Sequence, residues 1–254
     1  MCLLAIAWKV HPRWAVVMAG NRDEAHERPA APLARWERPA GILAGRDLRS
    51  GGTWAGLSTR GRMAVVTNVR DPRLTLPQAP SRGGLPVECL TAEADGAATA
   101  GPILARASGF APFNLLIADP DQAWFLSNYP HPRQRLMEPG VHGLSNGDLD
   151  EPWPKTRELM SVMSDWINAD EEDLDRLWLA LANERTAPDA ELPDTGVGLE
   201  RERLLSAAFI RNPVYGTRAS TIIAIDHEGA GWISERRFDA LGALVGESTL
   251  STRA

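Results

Sequence analysis

Two apolar runs of strand length, residues 2–10 (CLLAIAWKV) and 14–19 (WAVVMA), flank His11-Pro12-Arg13 and constrain the fold more than any other feature of the chain. Runs of that length around a short proline-containing break predict a β-hairpin. A turn centred on Pro12 pairs residues whose numbers sum to about 24. Trp8 then faces Val16, Leu4 faces Gly20, and Cys2 comes within one or two residues of Arg22. The apolar run ends at Gly20, and Asn21-Arg22-Asp23-Glu24 follow it. The open end of the hairpin is thus expected to gather a thiol, an amide, a guanidinium and two carboxylates.

Three more hairpins are expected: residues 53–58 with 62–69, 113–118 with 123–127, and 219–226 with 231–238. Residues 141–145 read as a short strand. Pro86 opens a helix to about Ala94, and after a break near Gly101-Pro102 another runs to Ala107. Helical periodicity marks 155–167, 171–183 and 199–210. Glu171-Glu172-Asp173 sit in a first turn, where negative charge suits the helix dipole. Residues 71–86 hold four prolines and two glycines, which predicts a surface loop, a candidate lid or pocket rim. Strands, then helices, then strands, without repeats or a long linker, predict one α+β domain over residues 1–254.

Composition narrows the function. A formal charge of -6 gives no electrostatic case for nucleic acid. Cys2 and Cys89 are the only cysteines, which excludes a disulfide scaffold and a four-cysteine zinc site. No apolar run is long enough for a membrane helix. Leu3 to Trp8 has no basic flank and is too short for a signal peptide, so the cytoplasm is the expected address. None of His11, His26, His131, His142 and His227 has ligand spacing, so no resident metal is expected.

Removal of Met1 before a small residue would expose an α-amine of pKa roughly 7.7–8.0 beside a thiol of roughly 8.5. Such an amine can take the thiol proton, the activation logic of an N-terminal nucleophile. Arg22 would favour the thiolate further. The competing reading makes Cys2 a small hydrophobe on a strand and the following tetrapeptide a salt-bridged loop. Asn68 and Asn146 each close an apolar strand. An amide there can donate to a developing oxyanion or simply cap a turn.

Further blocks accompany these residues: Arg28-Pro29, Gly51-Gly52-Thr53-Trp54, Gly56 to Gly61, Thr67-Asn68, Phe113-Asn114-Leu115, Gly143 to Asn146, Pro152 to Lys155, and Tyr215 to Arg218 with Ser220 to Ile223. In these blocks and their order the chain resembles the NRDE, or Transport and Golgi organization 2-like, family over nearly its whole length. The resemblance implies an N-terminal-nucleophile (Ntn) hydrolase-like fold, a four-layer αββα sandwich of two antiparallel sheets. It also implies a cytosolic protein that binds and transfers a hydrophobic anion, haem in particular, or acts in acyl-CoA and lipid homeostasis. No cofactor is required, with haem as cargo. Asn21, Arg22, Asp23, Glu24, Trp54 and Arg218 would line the pocket, Arg22 and Arg218 pairing with carboxylate or phosphate. Arg218 is preferred over Arg201 and Arg203 because it lies in a family block.

Weaker similarity to the bile-salt hydrolase and penicillin V acylase group implies the alternative, an N-terminal cysteine amidohydrolase. Cys2 would be its nucleophile, with Asn68 and Asn146 at the oxyanion. The chain departs from that group at Asn21, where an ungapped match has arginine, and at Glu24, where it has aspartate.

Overall fold

The computed structural model describes residues 3–74, 76, 78–169 and 173–253. Among the described residues, thirteen strands form two antiparallel sheets. The first sheet contains β1 (Leu3–Trp8), β2 (Trp14–Ala25), β10 (Gly140–Leu144), β11 (Tyr215–Asp226), β12 (Gly231–Phe238) and β13 (Leu244–Ser251), in the order β10-β1-β2-β11-β12-β13. The second runs in sequence order through β3 (Ala30–Arg35), β4 (Ile42–Asp47), β5 (Ala55–Ser58), β6 (Met63–Asn68), β7 (Phe113–Ala118), β8 (Ala123–Ser127) and β9 (Arg133–Leu136).

The central strands are apolar on both faces because both faces are covered. Along β1, Leu4, Ile6 and Trp8 point to the second sheet and pack with Leu57, Met63, Val65 and Phe125. The alternate residues Leu3, Ala5 and Ala7 pack under helices α3 (Pro154–Asn168) and α4 (Asp175–Leu181), against Leu159, Trp166 and Leu181. On the other side, Ile42, Ala44, Val66 and Ile117 of the second sheet meet Leu85, Leu90 and Ile103 of α1 (Gly84–Thr91) and α2 (Gly96–Ala105). The period of two in the pleat thus divides one sequence run between two cores, and the layers stack as helix, sheet, sheet, helix. Helix α5 (Leu199–Ser206) lies near the start of β11. Among the described residues, no helix is long and apolar enough to cross a membrane.

The first hairpin has the expected register: Leu3 faces Asn21, Leu4 faces Gly20 and Trp8 faces Val16. Its second strand does not stop at Gly20. It continues to Ala25, because β11 supplies partners for the polar residues, Ser220 opposite Asn21 and Thr217 opposite Asp23. The three other hairpins also form, and β3, β4, β9 and β13 add to them. The helix break lies at 92–95 rather than Gly101-Pro102: Asp95 caps α2 by accepting from the Ala98 amide, and Pro102 lies inside that helix. Helix α4 begins at Asp175, after Asp173, while Glu171 and Glu172 lie outside the described residues. Helix α5 ends at Ser206, and Ala207 is already extended.

The two sheets are locked at the end away from the tetrapeptide by two turns in contact. Gly61, between β5 and β6, has φ +77°, and a Cβ there would lie 2.1 Å from the carbonyl oxygen of Gly229, between β11 and β12. Gly61→Ala is therefore expected to cost about 2–4 kcal/mol, combining a left-handed backbone with a backbone clash. Gly51→Ala, with φ +76° but open space around it, should cost only about 1 kcal/mol. Urea denaturation of the two variants measures the difference, and equal losses would show that the turn contact is not tight.

Candidate functional site

At the other end of the sandwich the β2 pleat splits the tetrapeptide into two pairs. Asn21 and Asp23 lie on the helix-facing side that carries Val17 and Ala19, and Arg22 and Glu24 lie on the side facing the second sheet. Asn21 is fully buried and committed to structure. Its Nδ2 donates to the carbonyls of Leu181 (2.8 Å) and Ala208 (2.7 Å), and its Oδ1 accepts from the Ser220 hydroxyl (2.7 Å). It lines neither cavity described below.

Arg22 is 3% exposed. Its Cζ stands 4.5 Å over the Trp54 ring, and its Nη2 lies 3.5 Å from Asp47 and 3.7 Å from Glu24. Its Nη1 is buried with no hydrogen-bond partner among the described residues. Burial lowers the guanidinium pKa against the opposing pull of Glu24 and Asp47. Desolvation acts to raise the Asp47 pKa, but hydrogen bonds from Arg28 and Ser50 hold it below its ordinary value. Asp23 accepts from the Thr217 hydroxyl at 2.7 Å.

Two adjoining cavities open here. One, of about 510 Å³, is walled by Arg22, Asp23, Glu24, Trp54, Asn68 and the 79–83 part of the proline-rich segment, which does form a rim. The other, of about 620 Å³, shares Asp23, Asn68 and Arg82 with the first. Its lining adds the polar residues Asn146, Arg70, Lys155 and Arg201 and the apolar residues Val197, Leu204, Leu205 and Ile210. Asn68 is exposed at the end of β6, and its amide makes no hydrogen bond among the described residues. Asn146 is buried. Its Nδ2 donates to the Asn68 carbonyl (2.9 Å), and its Oδ1 accepts from Arg70 Nη2 (3.2 Å).

The structure therefore brings Arg22, Asp23, Glu24, Trp54, Asn68 and Asn146 around paired cavities. It does not bring Arg218 to either. Arg218 occupies a bulge between Thr217 and Ala219 and donates through Nη1 to the carbonyls of Ala25 (3.3 Å) and His26 (2.8 Å), holding the chain where it leaves β2. Of the other arginines weighed, Arg201 lines the larger cavity and Arg203 pairs with Asp189 and Glu200 on the surface. Cys2 lies outside the described residues. Sequence reasoning missed Arg70, Lys155 and Asp47 as parts of the walls, while Arg82 belongs to the 71–86 segment expected as a rim. Of the three, Lys155 alone carried a signal, as one of two lysines and the end of a motif block.

Comparison with solved structures agrees with the architecture. A Caenorhabditis elegans N-acylethanolamine-hydrolyzing acid amidase ortholog superposes with TM-score 0.53 at 9% identity, covering 89% of this chain and 93% of that one. A C2A variant of conjugated bile acid hydrolase from Clostridium perfringens superposes with TM-score 0.53 at 8% identity, covering 98% and 92%. The fold is an Ntn-hydrolase-like sandwich. By sequence, the profile for Transport and Golgi organisation 2 matches residues 1–240. The Transport and Golgi organization protein 2 homologs of Bos taurus and Homo sapiens are each 32% identical, covering 93% of this chain and 92% of theirs. The chain belongs to the Transport and Golgi organisation 2 family.

The loop carrying Asn146 is held by an ion pair. Asp150 Oδ1 accepts from the Gly143 amide, and its Oδ2 faces His142 Nδ1 at 2.9 Å. His142 Nε2 faces the Glu138 carbonyl at 2.9 Å. Both ring nitrogens meet acceptors, so the protonated ring serves both, and the hydrogen bond to Asp150 raises the His142 pKa above 6.5. Desolvation works against ionised Asp150, but the bond from His142 still leaves its pKa below 3.8.

Two predictions follow from this geometry. Asn21→Ala should destabilise the fold by about 3 kcal/mol or more through the buried carbonyls and hydroxyl it strands, while Asn68→Ala should change stability by less than about 0.5 kcal/mol. Urea midpoints test this, and a mild Asn21→Ala would free that residue for a ligand role. The His142 contribution is complete below its unfolded pKa of 6.5 and fades as pH rises through the higher folded value; the Asp150 contribution fades only as pH falls through its lowered folded value. The stability gap between the natural chain and His142→Gln should therefore shrink as urea denaturation is moved from about pH 5.5 to about pH 9. A constant gap would show that the pair does not titrate as described.

Proposed function

We propose that the chain binds and transfers, in the cytoplasm, an amphipathic anion with an apolar body and carboxylate or phosphate groups. Haem is the candidate the family resemblance points to, with acyl-CoA as the lipid-borne alternative. The observation that carries this reading is the lining of the larger cavity, which combines Arg70, Arg82, Lys155 and Arg201 with Val197, Leu204, Leu205 and Ile210. Arg201 is exposed and makes no ion pair among the described residues, so it is available to an incoming acid group. Such a lining suits a molecule that is oily at one side and anionic at the other. No described histidine lines either cavity, so a haem cargo would be held by its propionates and by packing, an arrangement suited to release.

Haemin titration followed at the Soret band tests the reading. A saturable shift is expected, weakened about tenfold or more in Arg82→Ala/Arg201→Ala, since each charged hydrogen bond contributes about 1.5–3 kcal/mol. No saturable shift, or an equal one in the double variant, would overturn haem as the cargo.

A second reading is favoured by Asn68, whose uncommitted amide sits on the wall shared by both cavities. In it Cys2, freed of Met1, is acylated by a linear amide, its own amine taking the thiol proton and passing it to the leaving amine. Asn68 and the remaining N–H of the Asn146 amide receive the oxyanion, and water then hydrolyses the thioester. The acid amidase and bile acid hydrolase of like fold lend support by their names. Intact mass after incubation with an acyl p-nitroanilide is the check. Loss of Met1, an acyl adduct on Cys2 and a roughly 10²- to 10³-fold slower Asn68→Ala are expected, whereas a retained Met1 excludes this chemistry.

A further inference from the structure

A third cavity, of about 390 Å³, lies behind the Asn146 wall, with Arg70 and Asn146 common to it and the larger cavity. Its chemistry is opposite to that of the anion-facing pair. Arg73 is paired with Asp71, Arg133 with Asp148, and Arg70 with Glu202. Glu151 and Asp194 also line it and have no cation partner among the described residues; they accept only from the amides of Asp148 and Gly196. The wall therefore carries two uncompensated carboxylates.

Two buried polar atoms in the same wall are also unmatched. Asn114 is 1% exposed, and its Nδ2 donates to the Gly147 carbonyl at 2.7 Å, which fixes the amide orientation. Its Oδ1 is thereby left as an acceptor with no partner among the described residues. Trp153 is 7% exposed, with Arg70 at 4.9 Å from its ring centroid, and its Nε1–H is likewise buried without an acceptor. Buried donors and acceptors are normally satisfied, so an unmatched pair in a cavity wall marks the hydrogen bonds that an occupant would complete. The carboxylates and the Asn114 oxygen call for a donor and the Trp153 N–H calls for an acceptor, a combination an organic cation with a carbonyl supplies and a bare metal ion does not.

We propose that this cavity is a second binding site, for a small organic cation of the α-amino amide kind, up to about dipeptide size. The ammonium satisfies Glu151, Asp194 and the Asn114 oxygen, and the carbonyl accepts from the Trp153 indole. The site shares Arg70 and Asn146 with the larger cavity but takes the opposite ligand class through Glu151 and Asp194, which line this cavity alone.

The test is a titration of ¹⁵N-labelled full-length protein with glycinamide, following the Trp153 indole N–H resonance, which is identified by its disappearance in Trp153→Phe. A saturable shift of that resonance is expected. It should weaken at least tenfold with neutral glycolamide in place of glycinamide, and at least tenfold with glycinamide in the surface variant Glu151→Gln/Asp194→Asn. No saturable shift would overturn the proposal. So would equal binding of glycolamide, or unchanged glycinamide binding in a double variant whose spectrum shows it folded.

Discussion

The buried guanidinium of Arg22 is the contact on which the architecture of the site depends. It reaches from β2 of the first sheet to Trp54 and Asp47 of the second, so one cation ties the two sheets together at their open end. A buried arginine with neither partner would cost several kcal/mol, more than one cation–π contact returns at about 2 kcal/mol, so Trp54 and Asp47 have to be in place together. Gly45 makes room for this: a Cβ there would lie 2.4 Å from the Trp54 ring. A second polar tie runs nearby, where buried Glu235 of β12 accepts from the Leu33 amide of β3 at 2.9 Å. Desolvation raises the Glu235 carboxyl pKa. Both ties are polar and lie at the end of the sandwich where the two adjoining cavities open.

The first hairpin was legible because its register follows from one turn and from apolar runs that have no other place to go. The division of labour inside the tetrapeptide was not, although it follows from the same pleat. Taking the strand to end at Gly20 treats Asn21 to Glu24 as one cluster, and only a strand continuing to Ala25 sends Asn21 to the helices and Arg22 to the other sheet. What prolongs it is the hydroxyl-bearing edge of β11, a partner 190 and more residues away, which no local pattern reveals. Arg218 was misplaced for a related reason. A bulge shifts the pairing by one residue there, and sequence alternation assumes none. Asp95, by contrast, carried a readable N-cap signal that the more conspicuous Gly101-Pro102 overshadowed.

The larger cavity owes its walls to elements far apart in the chain. Asn68 ends β6 and Arg70 follows it, Asn146 follows β10, Lys155 lies in the first turn of α3, and Arg201, Leu204 and Leu205 come from α5. Arg70 joins them. It donates to Glu202 of α5 at 2.8 Å and to Asn146 at 3.2 Å, which fastens the helix over the sheet end and sets which way the Asn146 amide turns. Glu202 is itself held by the amide and hydroxyl of Thr195. The apolar wall on α5 and the amide pair at the strand ends are therefore one mechanical unit.

The cations lining the two adjoining cavities range from exposed to buried, with Arg28, Arg70 and Arg82 between the extremes, and the difference bears on what each can do. Arg201 and Arg49 are exposed, where attraction to an acid group is screened by salt and acts mainly on capture. Arg22 and Lys155 are almost fully buried, where charge is screened little. Arg22 is already braced by two carboxylates and a ring, so an anion reaching it would bind without having to reorganise it. A binding protein that must release its cargo and an enzyme that must stabilise a passing oxyanion both need that combination: loose cations at the mouth and fixed, low-dielectric donors within. The lining is thus common to both readings, and the difference between them rests on the α-amine and thiol of Cys2 alone.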